Sequence, residues 1–170
     1  MRGFLLLFLL LAGCVQEQRE ILEVSAMRLE SPAFENGGTM PEKYSCDGED
    51  VSPELRLNGV PNGTNSLALV MDDPDAPTGT FVHWVAWNIP SGIRTVPEDS
   101  SPGVDGTNDF GRTGYGGPCP PPGPAHNYRF RIYALDATLN LSTGSTRAQL
   151  DSAMQGHILA QAELRGKYGR

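Results

Sequence analysis

The sequence predicts a mostly-β fold, and three observations carry that prediction. Apolar residues recur at every second position over several stretches of four to twelve residues, the period of a strand with one buried face. Twenty glycines and fourteen prolines in 170 residues demand many turns and leave little room for long helices. Only one segment carries a convincing helix start together with an apolar stripe at helical spacing.

Taken in order, Ile21 to Leu29 alternates loosely and is expected to be the first strand. Leu55-Arg56-Leu57 is a short strand between Pro53 and Pro61, and Asn62-Gly63 then marks a tight turn. Ser66 to Met71 contains the continuous run Leu67-Ala68-Leu69-Val70, which suits a central strand buried on both faces. Phe81 to Ile89 is rich in aromatic and β-branched residues and is closed by Pro90. Asn127 to Leu135 alternates cleanly. Tyr128, Phe130, Ile132 and Ala134 share one face, and Arg129, Arg131 and Tyr133 the other. The helix begins near Thr146, where Thr146 and Gln149 have capping-box spacing; Leu150, Ala153 and Met154 form its stripe and Gly156 stops it. His157 to Tyr168 is rich in helix-forming residues, yet Ala160, Ala162, Leu164, Gly166 and Tyr168 alternate with Gln161, Glu163, Arg165 and Lys167. Pattern outweighs propensity here, and the segment is expected to be a final strand. Between strands, Asp72 to Thr80 and Ser91 to Ala125 are irregular, and the second is long enough to suggest a functional loop with stiff, proline-rich walls.

The amino terminus bears on location. Met1-Arg2 precedes an apolar run from Phe4 to Leu11, and Leu11-Ala12-Gly13-Cys14 follows. This reads as a signal peptide over residues 1–13 with a lipoprotein-type cleavage box, the alternative being an ordinary signal beside an incidental cysteine. A membrane-spanning helix needs about 20 apolar residues, so the run is too short for one. Cys14 is then the lipidated start of the mature chain, residues 14–20 a polar tether, and residues 21–170 one domain on an envelope or cell-surface lipoprotein. The formal charge of −7, about −8 without Arg2, and the lack of a Lys/Arg run argue against nucleic acid as a partner. Cys46 and Cys119 remain as an even pair, either bridged in an exported protein or two buried thiols.

Three segments put polar groups where strands meet loops. They are Asp72-Asp73-Pro74-Asp75-Ala76-Pro77, His83-Trp84, and the glycine- and proline-rich Gly114 to Gly123 leading into His126-Asn127-Tyr128. Two imidazoles, a phenol and glycine-rich turns whose backbone N–H groups could form a nest together describe a pocket for a small anion. The aspartates could orient the histidines, or meet an ammonium group if the ligand is zwitterionic. Each piece alone has an ordinary structural explanation. Asp-Pro-Asp is a common turn, a single histidine is more often a satisfied core residue, and His157 beside Gly156 is read as structural. No Cys-x-x-Cys or His-x-x-x-His spacing points to a metal, no Gly-x-Ser-x-Gly turn or phosphate-binding Gly-Lys loop is present, and no cofactor is expected.

In order along the chain, these segments resemble the phosphatidylethanolamine-binding protein family, also called Raf kinase inhibitor-like proteins, and most of all its prokaryotic branch. The resemblance runs from Leu29 to Arg170. It rests on Tyr44-Ser-Cys-Asp-Gly-Glu-Asp-Val-Ser-Pro53, Asp73-Pro-Asp-Ala-Pro77, His83-Trp-Val-Ala-Trp-Asn-Ile-Pro90, Gly114-Tyr-Gly-Gly-Pro-Cys-Pro-Pro-Pro122 and Gly156-His-Ile-Leu-Ala-Gln-Ala-Glu-Leu164. It implies a β-sandwich with a large central antiparallel sheet, one or two short helices, and a small cavity that accepts phosphate-like anions. By motif, it assigns Asp73, Asp75, His83, Gly117, Pro118, Pro120, His126 and Tyr128 to ligand binding. The family has no agreed catalytic reaction, and its members are described as ligand binders or as inhibitors of kinases or serine proteases. Leu57 stands where this branch often has Trp, and Asn127 where Arg is usual; the first should alter packing, the second the charge at the pocket rim. A lipid anchor is not typical of the family and puts cytoplasmic kinases out of reach. The resulting expectation is a membrane-tethered binding module for a phosphate-like anion or phospholipid head group, with regulation of a partner protein left open. An extracellular serine protease inhibitor and a phosphoester-acting enzyme using His83 with Asp73 or Asp75 are the alternatives, and a homodimer is left open too.

Overall fold

Strand β4 (Ser66–Asp73) is buried at all eight positions, and the rest of the molecule is arranged around it. In the computed structural model, which describes residues 26–170, β4 pairs with β5 (Phe81–Pro90) on one side and β8 (His126–Leu135) on the other, both antiparallel. The expected signal peptide, the expected lipidated Cys14 and tether, and the start of the expected first strand lie outside the described residues. Strand β1 is the short Arg28–Glu30; it is followed by β2 (Gly38–Thr39), a single 3-10 turn (Glu42–Tyr44) and β3 (Leu55–Asn58). Strands β6 (Thr95–Val96) and β7 (Val104–Asp105) lie in the segment whose sequence shows no period, because two residues are too few to display one. Helix α1 (Arg147–Met154) and β9 (Ile158–Tyr168) complete the chain.

The large sheet has the order β2-β9-β8-β4-β5-β7, and a smaller sheet has the order β1-β3-β6. The large sheet is antiparallel through its centre but mixed at one edge, since β2 runs parallel to β9. The antiparallel centre is as expected, and the parallel edge is added by Gly38–Thr39, a two-residue contact with no sequence signature. Strand β9 keeps its alternation, with Ala162, Leu164, Gly166 and Tyr168 buried between exposed neighbours. Gly166 is required by close approach: a Cβ there would lie 2.4 Å from Met40 Cγ and 3.0 Å from Phe34 Cε2.

Two cores result. Between the sheets, Leu29, Leu55, Leu57 and Val96 pack against Leu67, Leu69, Met71, Trp84 and Phe130. Leu57 is part of this core, so the departure from Trp at that position is a matter of packing. On the opposite face of the large sheet, Ala68, Val70, Val85, Trp87 and Leu135 are covered by Leu150 and Met154 of α1. The helix starts where its capping box predicts: Gln149 N–H donates to Thr146 Oγ1, and Thr146 N–H to Gln149 Oε1 at 2.8 Å.

Next to this second core the carboxylate of Asp72 is buried, at 1% exposure. It accepts from Arg129 Nε at 2.7 Å, from Arg131 Nη2, and from Arg147 Nη1 at 3.4 Å, so it joins β4, β8 and α1. Removing one partner of a buried ion cluster strands the others without a counter-charge, and the guanidinium groups here retain partial contact with water. Asp72→Ala should therefore destabilise the domain by about 3 kcal/mol, at the lower end of the range for buried pairs. Chemical denaturation of the variant beside the parent checks this, and an unchanged midpoint would show that the cluster is energetically neutral.

Candidate functional site

The site lies where β4 ends and β5 and β8 begin, so three adjacent strands deliver side chains to one end of the sheet. A bulge in β5 aims the first of them. Met71 pairs with Trp84, but Asp72 pairs with Val82, which leaves His83 as an extra residue without a partner on β4. In unbroken alternation His83 would share a face with Val85, under α1. The bulge turns it to the face of Tyr128, whose ring it meets edge-on at 5.2 Å.

His83 is 3% exposed. Its Nδ1 lies 2.7 Å from Gly116 O, and because a carbonyl only accepts, Nδ1 carries the hydrogen. Burial pushes the imidazole below its ordinary pKa, and the Gly116 hydrogen bond and the nearby Asp73 charge oppose this only in part. His126 donates from Nδ1 to Asp73 Oδ2 at 2.7 Å, and the other oxygen of Asp73 accepts the Asp75 N–H at 2.8 Å. Asp73 thus fixes the orientation of His126, as carboxylates commonly do for functional imidazoles. Tyr128 is fully buried, and its hydroxyl has no hydrogen-bond partner among the described residues. Burial, reinforced by the charge of Asp73, drives its pKa far up, so the phenol keeps its proton.

These groups surround a cavity of about 180 Å³, lined also by Ala76, Pro77, Thr78, Phe81, Phe110, Cys119, Pro120 and Pro121. A volume of a few water molecules suits a compact group such as a head group, and is below the range for drug-sized ligands. Phe81 and Phe110 meet edge-on at 4.8 Å and form an aromatic wall against His83. The sequence pattern marks neither: Phe81 reads as the start of a strand, and Phe110 sits in a segment without period.

Of the residues assigned by motif, Asp73, His83, Pro120, His126 and Tyr128 reach the cavity, whereas Asp75, Gly117 and Pro118 do not. Asp75 Oδ2 instead accepts from the backbone and side-chain amides of Asn127 at 2.8 and 2.7 Å, which locks the start of β8 to the turn after β4. Those bonds hold its carboxyl below the usual range. Asn127 therefore has a definite local role at the rim in place of a charge. The glycine-rich turn forms no nest from Gly116 and Gly117, because Gly116 N–H donates to His83 O and Gly117 N–H to Asp50 Oδ1 at 2.7 Å. Glycine is needed at both for close approach, since a Cβ would lie 2.5 Å from Phe110 Cδ2 at Gly116 and 2.4 Å from Tyr44 O at Gly117.

The wall made by this turn is held from outside by residues 44–50. Tyr115 Oη donates to Tyr44 O at 2.6 Å, Cys46 N–H to Pro118 O at 3.1 Å, and Cys46 is bridged to Cys119 with Cα atoms 5.4 Å apart. Of the two alternatives for the cysteine pair, the structure has the bridge. It closes a loop spanning a sequence separation of 73 residues. Restricting a loop of that length in the unfolded chain corresponds to about 4 kcal/mol by chain entropy. Replacing both cysteines with serine should cost about 2–4 kcal/mol, read as a lower thermal midpoint; a loss below about 0.5 kcal/mol would contradict this account. Among the described residues no group of three or more His, Cys, Asp or Glu side chains is arranged to hold a metal ion.

Comparison with known proteins places this architecture. The family model for phosphatidylethanolamine-binding protein matches residues 30–169. A UPF0098 protein of Pyrococcus abyssi is 46% identical over 177 aligned positions, covering 98% of this chain and 96% of that protein. A UPF0098 protein of Aquifex aeolicus is 49% identical, covering 85% and 89%. Among solved structures, a phosphatidylethanolamine-binding protein homologue from Chlamydia trachomatis matches with a TM-score of 0.82 at 42% identity, covering 85% of this chain and 98% of that one. Escherichia coli YbcL matches with a TM-score of 0.80 at 31% identity, covering 86% and 99%. The two-sheet fold, the ordered motifs along it and these matches together identify the chain as a member of the phosphatidylethanolamine-binding protein family, in its prokaryotic branch.

Proposed function

We propose that this protein is a binding module for a small phosphate-like anion or a phospholipid head group, held at a membrane by a lipid on Cys14. Membership of the family supports a binding protein; the ligand class rests on the cavity. The observation that carries the reading is the convergence of His83, His126 and the unpartnered Tyr128 hydroxyl on one half-open cavity of about 180 Å³. A buried hydroxyl without a partner costs about 1–3 kcal/mol, and a ligand oxygen would relieve that cost. Calorimetric titration with phosphate and phosphoethanolamine tests the reading. Binding should be measurable for the parent and weakened at least tenfold in His83→Ala and in His126→Ala. Absence of binding by the parent at millimolar ligand would reject it and direct attention to a protein partner.

One observation favours a second reading, an enzyme acting on a phosphoester. His126 is held by a buried carboxylate at 2.7 Å, which is the arrangement a general base requires. The pair belongs to Asp73 with His126, not to Asp73 or Asp75 with His83 as the sequence suggested. If this reading holds, turnover of a phosphoester panel should fall at least a hundredfold in His126→Ala. No turnover by the parent, or turnover unchanged in the variant, would leave the binding module alone.

A further inference from the structure

The cavity has no lysine or arginine among its lining residues, although its proposed occupant, on which this inference rests, is an anion. The fixed charges near it are mostly negative. Asp73 comes from β4, Asp75 from the following turn, and Asp109 accepts the Val82 N–H at 2.7 Å beside the start of β5. Arg112 lies 5.6 Å from the Phe110 ring but is tied to Asp50 at 2.5 Å, and Arg129 on β8 is tied to Asp72 on the other sheet face. Strand β8 also contributes His126 and Tyr128, and β9 contributes Tyr168, whose hydroxyl donates to Asp47. An anion placed here has no lysine or arginine lining the cavity to supply a positive charge.

Hydrogen-bond roles narrow the source. Gly116 O fixes the hydrogen of His83 on Nδ1, so Nε2 of the neutral ring presents a lone pair, on a residue that lines the cavity. A lone pair repels an oxyanion, and a proton at that atom converts it into a charge-assisted donor. His126 differs, because its Nδ1 is hydrogen-bonded to the Asp73 carboxylate at 2.7 Å. A proton on His83 has no carboxylate hydrogen-bonded to it among the described residues; Asp73 and Asp109 act on it only at a distance, and a bound anion would be its direct counter-charge.

We propose that the cavity captures a compact oxyanion together with one proton from solvent, carried on Nε2 of His83. The only bond formed is N–H. Burial keeps the free imidazole neutral, consistent with its lowered pKa, and a bound anion raises that pKa. Affinity should then rise as pH falls through the bound-state pKa of His83 and level off below the free-state value.

Sulfate is the probe, since its charge is constant between about pH 5 and 9 and cannot supply the proton itself. Titrating the purified protein with sulfate near neutral pH, in two buffers of different ionisation enthalpy, counts protons without any variant. Uptake should approach one proton per sulfate between the free-state and bound-state pKa values of His83, and across that same window affinity should weaken by up to about tenfold per unit as pH rises. His83→Gln supplies an amide N–H that needs no proton, so its sulfate binding should be independent of pH, while His126→Gln should retain proton uptake. Sulfate bound without proton uptake by the parent, or uptake surviving in His83→Gln, would overturn the inference while leaving the anion site intact. Absence of sulfate, phosphate and phosphoethanolamine binding would instead remove the site reading and this inference with it.

Discussion

The register of β4 between β5 and β8 is the constraint on which the site depends. Eight consecutive buried residues leave β4 no freedom to slide, because a one-residue slip would move Leu67, Leu69 and Met71 out of one core and Ala68 and Val70 out of the other. With that register fixed, one extra residue in β5 has a defined consequence. Trp84 remains in the core between the sheets while His83 turns to the same face, at the end of the sheet where Asp73, His126 and Tyr128 already lie. The bulge interrupts the ladder locally and in return supplies the polar group that gives the cavity its character.

The adjacent aspartates at the end of β4 illustrate how alternation divides structure from chemistry. Asp72 faces α1, accepts from three arginines and binds β8 and the helix to the central strand. Asp73 faces the cavity, and both of its oxygens are occupied, one by His126 and one by the Asp75 amide. Two residues of the same type, one position apart, therefore serve different cores because successive side chains on a strand point to opposite faces.

The cavity is rigid for reasons that lie outside its lining. Residues 44–50 hold the glycine- and proline-rich turn through the Tyr115 hydroxyl, the Asp50 carboxylate, the Cys46 amide and the Cys46–Cys119 bridge. Gly116 and Gly117 allow the approach, so their backbone amides serve the wall and not a ligand. The side chains that line the cavity include two imidazoles, a phenol and an aromatic face. A site of that composition responds to protonation more than a site built on arginine, whose charge is constant.

The sequence by itself determined the β class, the five long or well-patterned strands and the single capped helix, since burial on one face imposes a two-residue period and capping boxes are local. It also determined which segments carry polar groups to strand ends, because Asp73, His83, His126 and Tyr128 lie in distinctive motifs. The two-residue strands β2, β6 and β7, and the parallel pairing of β2, were not legible, because contacts that short leave no period. Tertiary structure alone decided that Asp75, Gly117 and Pro118 do not line the cavity, that Phe81 and Phe110 do, that Asp73 pairs with His126, and that Cys46 meets Cys119. The physical reason is common to all of these. A side chain's direction at a bulge, or its partner across some 50 to 70 residues of chain, is set by the packing of other strands, and no local pattern encodes it.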